Sequence, residues 1–259
     1  MKTLSILGSG WLGKPLIKHF VDLGWQVNAS CRDLQRSDEL LALGAIPCLV
    51  DIDTQRIAGN AFLNADLLIV NIPSKNIEGF AWLNEQLASS PIKHVILVSS
   101  TSVYPDEPRV MSEDDSDESR PTPLRQIEQL FIANLLVSTT VVRFAGLVGP
   151  RRHPGRFFTS GRAVPNPDAP VNMIHLDDCV AVIHQIVQQG CWGEIFNACA
   201  DTHPSKREFY GKYTLEYSGE LPTFGDSCPT QGKVICNKRL KQVLGYECIY
   251  PNLMALVFD

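Results

Sequence analysis

The chain has 259 residues, 44% of them hydrophobic and 20% charged, with 23 basic against 28 acidic side chains and a formal net charge of −5. That length buries one large core, or a core with a smaller lobe, is too short for three independent domains, and carries too much apolar material for a disordered chain. Its apolar runs, such as Leu67 to Val70 and Val95 to Val98, fall far short of the ~20 residues that span a bilayer. No secretory pattern opens the sequence, so a cytoplasmic protein without membrane contact is expected.

Strands are predicted at about 3–7, 25–31, 46–50, 66–71, 93–99, 139–144 and 194–198, separated in the first third by segments of helical periodicity. This alternation predicts an α/β fold, a Rossmann-like doubly wound parallel sheet of about seven strands. Helices are expected from Gly13 to Gly24 with Pro15 in the first turn, over Ser37 to Leu43, over Glu78 to Ala88, and after a strand junction at Ile174 to Asp178, running to Gln189. After Ala200, Pro204, Pro222, Pro229 and Pro251 break the chain into short pieces, which suits a small lobe wrapped on the core. The eight cysteines, at 31, 48, 179, 191, 199, 228, 236 and 248, form no CxxC pair or zinc-finger grouping; they read as reduced thiols, with no metal and no disulfide expected.

Charge is distributed unevenly. The segment 106–119 holds seven acids and one base, a net −6, while 150–166 holds Arg151, Arg152, Arg156 and Arg162 without an acid, a net +4. The first reads as a solvated loop. Guanidinium groups match phosphate oxygens, so the second suits an anionic small molecule such as a nucleotide sugar; the alternative is that these arginines are solvated or paired with the acidic loop. Nucleic acid is not expected, because no reading helix and few aromatic residues accompany the arginines.

The strand Thr3 to Leu7 runs directly into Gly8-Ser9-Gly10-Trp11-Leu12-Gly13 and then a helix. In that context Gly8 permits a tight turn, Gly10 lets the backbone approach a pyrophosphate, and Gly13 lets helix and strand pack closely. The helix N-terminus supplies oriented N–H donors to the phosphates. The second strand ends Ser30-Cys31-Arg32-Asp33, where an acid grips a ribose 2′-hydroxyl and an arginine suits a 2′-phosphate. Arg32, with Ser30 as a second donor, favours NADP over NAD; Asp33 is the alternative, as a ribose ligand. Asp51 faces the adenine edge or is a solvated strand-end carboxylate. Asn71, Ile72, Pro73 and Ser74 close the fourth strand and would line the nicotinamide side, since ligands of open α/β sheets lie outside the carboxyl ends of the strands.

Three further segments follow: Val98-Ser99-Ser100-Thr101-Ser102-Val103-Tyr104, Arg143 through Gly149-Pro150, and Ile174-His175-Leu176-Asp177-Asp178. Together with the glycine motif, in this order, they resemble the extended short-chain dehydrogenase/reductase family of nucleotide-sugar epimerases and dehydratases, whose patterns are SSxxVYG, RxxxxxGP and IHxDD. The resemblance covers residues 3 to about 200, and the GxGxxG spacing is similar to that of the family's atypical members rather than its usual GxxGxxG. It implies a dinucleotide-binding core over 1–150 and an excursion into a substrate lobe over 151–170. A return to the core over 171–200 and a C-terminal substrate lobe over 201–259 complete it. It also implies Ser99 at the cofactor, Ser100 as the catalytic hydroxyl, Arg143 with Arg151, Arg152 and Arg156 on the substrate side, and a monomer or homodimer.

The resemblance further implies a catalytic tyrosine and lysine spaced as YxxxK, the ammonium bringing the phenol toward neutrality. No tyrosine here has a lysine four residues on, and from Pro105 to Thr140 there is neither tyrosine nor lysine. Two readings follow. In one, Ser100 or Tyr104 works beside the nicotinamide, with Arg125 or Arg120 supplying the charge; Tyr104 reads equally as a packed aromatic and Arg125 as a surface helix residue. In the other, the protein is a non-catalytic NADP-binding sensor or regulator. His175 is expected to be structural, with Asp177 or Asp178 capping the helix that follows.

Overall fold

The computed structural model describes residues 2–115 and 122–258. In chain order the elements are β1 (Thr3–Leu7), α1 (Gly13–Asp22), β2 (Gln26–Cys31), α2 (Ser37–Ala42), β3 (Ile46–Asp51), β4 (Arg56–Ile57), β5 (Leu67–Val70), α3 (Ile77–Gln86) and β6 (His94–Ser100). They continue with β7 (Val110–Met111), α4 (Pro123–Ile132), β8 (Ser138–Phe144), β9 (Gly146–Val148), β10 (Met173–His175), α5 (Leu176–Gln189), β11 (Ile195–Ala198), α6 (Lys206–Ser218), β12 (Val234–Ile235) and α7 (Lys238–Leu244). All seven predicted strands are present, with ends shifted by a residue or so.

They form a sheet in the order β11-β8-β6-β5-β1-β2-β3-β4. The register of β1 with β2 and β5, of β2 with β3, and of β5 with β6 is parallel throughout. An eighth strand, β4, adds at the edge: two residues, Arg56 and Ile57, pair antiparallel with Asp51 and Val50. Two residues carry no periodic signal, which is why the sequence does not announce it. The order reverses between β1 and β5, the doubly wound switch at which such sheets bind ligands beyond the strand ends.

By its internal contacts the chain divides into two compact units, described separately: Met1–Ser100 with Glu118–Val142 and Ile186–Ile195, and Thr101–Asp117 with Arg143–Gln185 and Phe196–Asp259. In the first unit α1 buries Gly13, Leu16, Ile17 and Phe20, the i, i+3, i+4, i+7 stripe of an amphipathic helix. β5 is buried along its whole length, as a strand covered on both faces must be. On the other side of the sheet Phe80 of α3 meets Phe131 of α4 edge to face, with centroids 6.3 Å apart, inside a cluster that includes Leu68, Val95 and Ile127. Fully burying each such side chain stabilises the fold by ~1.5–3 kcal/mol.

The second unit centres on Val148, Phe158, Phe209, Tyr213 and Leu253. Its helix α6 opens with a reciprocal capping box between Ser205 and Glu208. Close packing is enforced at Gly155, where a Cβ would lie 2.1 Å from the Tyr213 carbonyl oxygen. The paired strands β9 and β10 set Val148 opposite His175. Among the described residues no helix is long and apolar enough to cross a membrane.

Candidate functional site

A groove of about 660 Å³ opens at the switch point, lined by the loop after β1 and the ends of β2, β3 and β5. Its floor is the glycine turn, and the three glycines differ in why they are glycine. Gly8 has φ +106° and a Cβ there would lie 2.0 Å from the Asn71 carbonyl oxygen; a Cβ on Gly13 would lie 1.9 Å from the Gly8 carbonyl oxygen. Both are demanded by the protein's own packing. Gly10 is exposed, has no positive φ and has nothing within 4 Å of the Cβ position. Nothing in the fold requires a glycine there, so the open surface suits a group that approaches the backbone closely. Leu12 is buried and Trp11 half-buried, the pair that anchors the turn to its helix.

Hydrogen bonds stiffen the floor. The Gly8 amide donates to Ser30 Oγ at 2.8 Å, and Ser9 Oγ donates to the Ser30 carbonyl at 2.8 Å. Ser30 thus accepts with its oxygen and keeps its hydroxyl proton for another partner. Asn71 ties the β5 wall to the turn, its amide donating to the Leu7 carbonyl at 2.7 Å and its Nδ2 to the Gly8 carbonyl at 3.3 Å. Ile72, Pro73 and Ser74 continue that wall.

Arg32, at the end of β2, lines the groove, is exposed, and makes no hydrogen bond or ion pair among the described residues. Arg36 lines it too, a second guanidinium the sequence reading missed because it lies past the strand end in a short 3-10 turn. It approaches Glu39 at only 3.8 Å, while Lys14 holds Glu39 at 2.8 Å and lowers its carboxyl pKa. The two acids weighed as ribose or adenine contacts are occupied in turns. Asp33 Oδ1 accepts from the Gln35 amide at 2.9 Å; Asp51 accepts from the Asp53 amide and Thr54 Oγ1, each at 3.0 Å.

At the carboxyl end of β6, Ser99 Oγ donates to Glu128 Oε1 at 2.5 Å, and Arg125 Nη1 donates to Glu128 Oε2 at 2.9 Å. Glu128 is fully buried and the Arg125 side chain only 11% exposed. Arg125, read as a surface residue in one alternative, is instead mostly buried, and its backbone amide donates to the capping Thr122 Oγ1 at 3.2 Å. Ser99 spends its proton on Glu128, and Ser100 beside it is half-buried. Arg120 lies outside the described residues.

In the second unit Tyr104 is 3% exposed, and its hydroxyl accepts from Arg143 Nη1 at 2.6 Å and donates to Asn197 Oδ1 at 2.7 Å. Burial raises the phenol pKa, outweighing the opposing effect of Arg143. Arg143 is fully buried; the same Nη1 reaches the Glu113 carbonyl at 3.1 Å, and the Glu113 carboxylate accepts from the Asn197 amide at 2.8 Å. The residue assigned to the substrate side thus stands inside a polar knot with the tyrosine assigned to catalysis, because β8 is buried from its second residue to its last and a buried guanidinium needs acceptors there.

Arg151, Arg152 and Arg156 are exposed, as is Arg162, whose guanidinium lies 5.2 Å over the Phe158 ring. Among the described residues Arg151, Arg156 and Arg162 make no ion pair. The acidic loop finds other cations: Arg109 bonds Glu107 at 2.9 Å and Asp115 at 2.6 Å, and Arg239 bonds Asp114 at 2.8 Å. Asp117 and Glu118 of that loop lie outside the described residues.

At the start of α5 the capping differs from expectation. His175 Nδ1 accepts from the Asp177 amide at 3.3 Å. Asp178 instead accepts from Tyr246 Oη and the Ile249 amide, each at 2.6 Å, and from the Tyr250 amide at 3.2 Å, so it fastens the C-terminal segment. The imidazole ring is the first acceptor in reach of the helix amides; the carboxylate satisfies a segment some seventy residues on. His153 Nδ1 likewise accepts from the Gly155 amide at 3.0 Å, a structural role. Among the described residues no group of His, Cys, Asp and Glu could hold a metal ion.

The sheet order and the glycine turn at its switch point define a Rossmann-like, doubly wound α/β fold. Solved structures agree on that fold: a conserved protein of unknown function from Silicibacter pomeroyi superposes with a TM-score of 0.80 at 23% identity, covering 98% of this chain and 96% of that one. The UDP-glucuronic acid 4-epimerase of Bacillus cereus, solved with UDP-glucuronic acid and NAD, has a TM-score of 0.76 at 16% identity over 98% of this chain and 96% of its own. No family model matches the chain. The chain belongs to the family of Protein YeeZ of Escherichia coli strain K12, to which it is 32% identical over the full length of both.

Proposed function

We propose that the protein binds NADP(H) in the groove of its first unit and serves as an oxidoreductase or epimerase-like enzyme on an anionic, sugar-nucleotide-like substrate. The observation that carries the reading is Gly10, a glycine the fold does not need, set in the floor of a groove walled by Ser30 and Arg32 on one side and by Asn71, Ile72 and Pro73 on the other. Gly8 through Gly13 and the α1 N-terminus would receive the pyrophosphate, and Arg32 with Arg36 the 2′-phosphate. When bound, the nicotinamide supplies hydride chemistry; the chain's part is to hold it and to orient a substrate oxygen, for which Ser100 is the hydroxyl. Arg151, Arg152 and Arg156 supply guanidinium groups for a substrate phosphate. The epimerase of like fold that carries UDP-glucuronic acid and NAD supports this substrate class by analogy.

A second reading, an NADP-binding regulator without turnover, is favoured by Tyr104, whose hydroxyl has both hydrogen-bonding capacities engaged and whose pKa is raised. Fluorescence titration tests the shared premise: NADPH is expected to bind at least about tenfold more tightly than NADH, ~1.4 kcal/mol, with the difference lost in Arg32→Ala. Equal affinities in the wild type overturn the NADP assignment. A sugar-nucleotide screen that finds turnover abolished by Ser100→Ala supports the enzyme, and one that finds neither net cofactor oxidation or reduction nor an epimerised product favours the regulator.

A further inference from the structure

A second cleft in the first unit, of about 730 Å³, shares no lining residue with the groove at the switch point. Its walls are the edge strand β4, the segment that runs from there toward β5, and the C-terminal end of α3. The volume falls in the range of small-molecule sites, ~300–1,000 Å³. Trp82 of α3 is half-buried; it packs against the core cluster and also lines the cleft. With it stand Gln55, Arg56, Asn60 and Asn64, all exposed, whose side chains make no hydrogen bond or ion pair among the described residues.

Two features of this wall have no explanation in packing. Ser5 and Asn28, on the interior strands β1 and β2, are fully buried polar residues: Ser5 Oγ donates to the Phe62 carbonyl at 2.5 Å and Asn28 Nδ2 to the Ala61 carbonyl at 2.8 Å, while Asn28 Oδ1 has no partner. An unanswered buried acceptor is destabilising, and native structures hold few of them. What the pair achieves is position, because it fixes the backbone between Asn60 and Asn64 and so sets the spacing of those two amides. Gln55, for its part, has φ +52°, a left-handed conformation that glycine adopts with less strain, yet a long polar side chain stands there.

An amide side chain both donates and accepts, as a sugar hydroxyl does, so amides answer neighbouring hydroxyls in pairs. The face of an indole carries the negative part of the ring quadrupole and attracts the weakly positive C–H groups on the flat side of a pyranose. An anion is disfavoured: Arg56 is the single cation of the lining, and α3 ends at Gln86 in the cleft wall, where a helix carries partial negative charge. We propose that this cleft is a second binding site, for an uncharged saccharide, with Trp82 against the sugar ring and Gln55, Asn60 and Asn64 on its hydroxyls. The site does not depend on the NADP(H) reading of the groove.

Saturation-transfer NMR with glucose, galactose, mannose, N-acetylglucosamine, maltose and cellobiose tests the proposal, with adenosine 5′-monophosphate as the anionic, flat-ringed comparison. At least one of the saccharides is expected to receive saturation at its ring C–H protons, and to do so equally in excess NADPH. Trp82→Leu keeps an apolar side chain on the core and removes the aromatic face, so the transfer should be abolished. Gln55→Gly removes an amide and relieves the backbone; it is expected to weaken the saccharide at least about fivefold with a melting temperature close to the wild type's, and it keeps the test open if the Trp82 variant does not fold. Asn64→Ala should show the same loss, with NADPH affinity unchanged in both. Binding of none of these saccharides overturns the proposal, as does saccharide binding that survives Gln55→Gly and Asn64→Ala or that NADPH displaces. Adenosine monophosphate bound in place of the saccharides, and lost in Gln55→Gly, assigns the cleft to a nucleotide and overturns it as well.

Discussion

Arg143 Nη1 lies 2.6 Å from the Tyr104 hydroxyl, and neither side chain is more than 3% exposed. The tyrosine that the sequence offers for catalysis is thus a fastening for a buried cation. Tyr104→Phe removes an acceptor from that cation and a donor from Asn197, and is expected to destabilise the protein by ~2 kcal/mol. Urea denaturation measures it; an unchanged midpoint means the knot contributes nothing to the fold.

The glycine turn separates packing from binding. Gly8→Ala sets a Cβ into the Asn71 carbonyl at a positive φ, with an expected cost of roughly 2 kcal/mol or more. Gly10→Ala meets open space, so its melting temperature should match the wild type while its NADPH affinity falls at least severalfold. Loss of stability in the second variant, or retained affinity, contradicts the cradle.

Arg36 should matter less than Arg32 but in the same sense. It faces the groove beside a weak contact to Glu39, so Arg36→Ala is expected to reduce NADPH affinity about threefold and NADH affinity not at all. Titrating both cofactors at two salt concentrations checks this, because an exposed phosphate contact weakens as salt rises.

Burial lowers the pKa of His175, and does the same for His94, His153 and His203. Unfolding returns each imidazole toward about 6.5, so between the folded and unfolded values the unfolded chain binds more protons. Stability is therefore fully present above about pH 6.5 and falls as pH drops below it. The urea midpoint should be lower at pH 5.5 than at 7.5. His175→Asn, which keeps an acceptor near the Asp177 amide, should narrow the difference. An undiminished difference assigns the effect to the other histidines.

The sequence alone determined the sheet, the place of the glycine turn and the basic end of β2. These are local signals: alternating apolar runs, three glycines at fixed spacing, and an arginine at a strand end can be read without knowing what stands opposite. It also showed that the tyrosine and lysine of the resembling family are missing. Only the tertiary structure decided which polar residues face inward. Ser99 finds Glu128 29 residues on, Tyr104 finds Asn197 93 residues on, and Asp178 fastens a segment 71 and 72 residues away rather than capping its own helix. A carboxylate, a phenol or a guanidinium reads the same in sequence whether solvated or buried. The partner that satisfies it comes from a distant strand or helix, and that pairing exists only once the chain has folded.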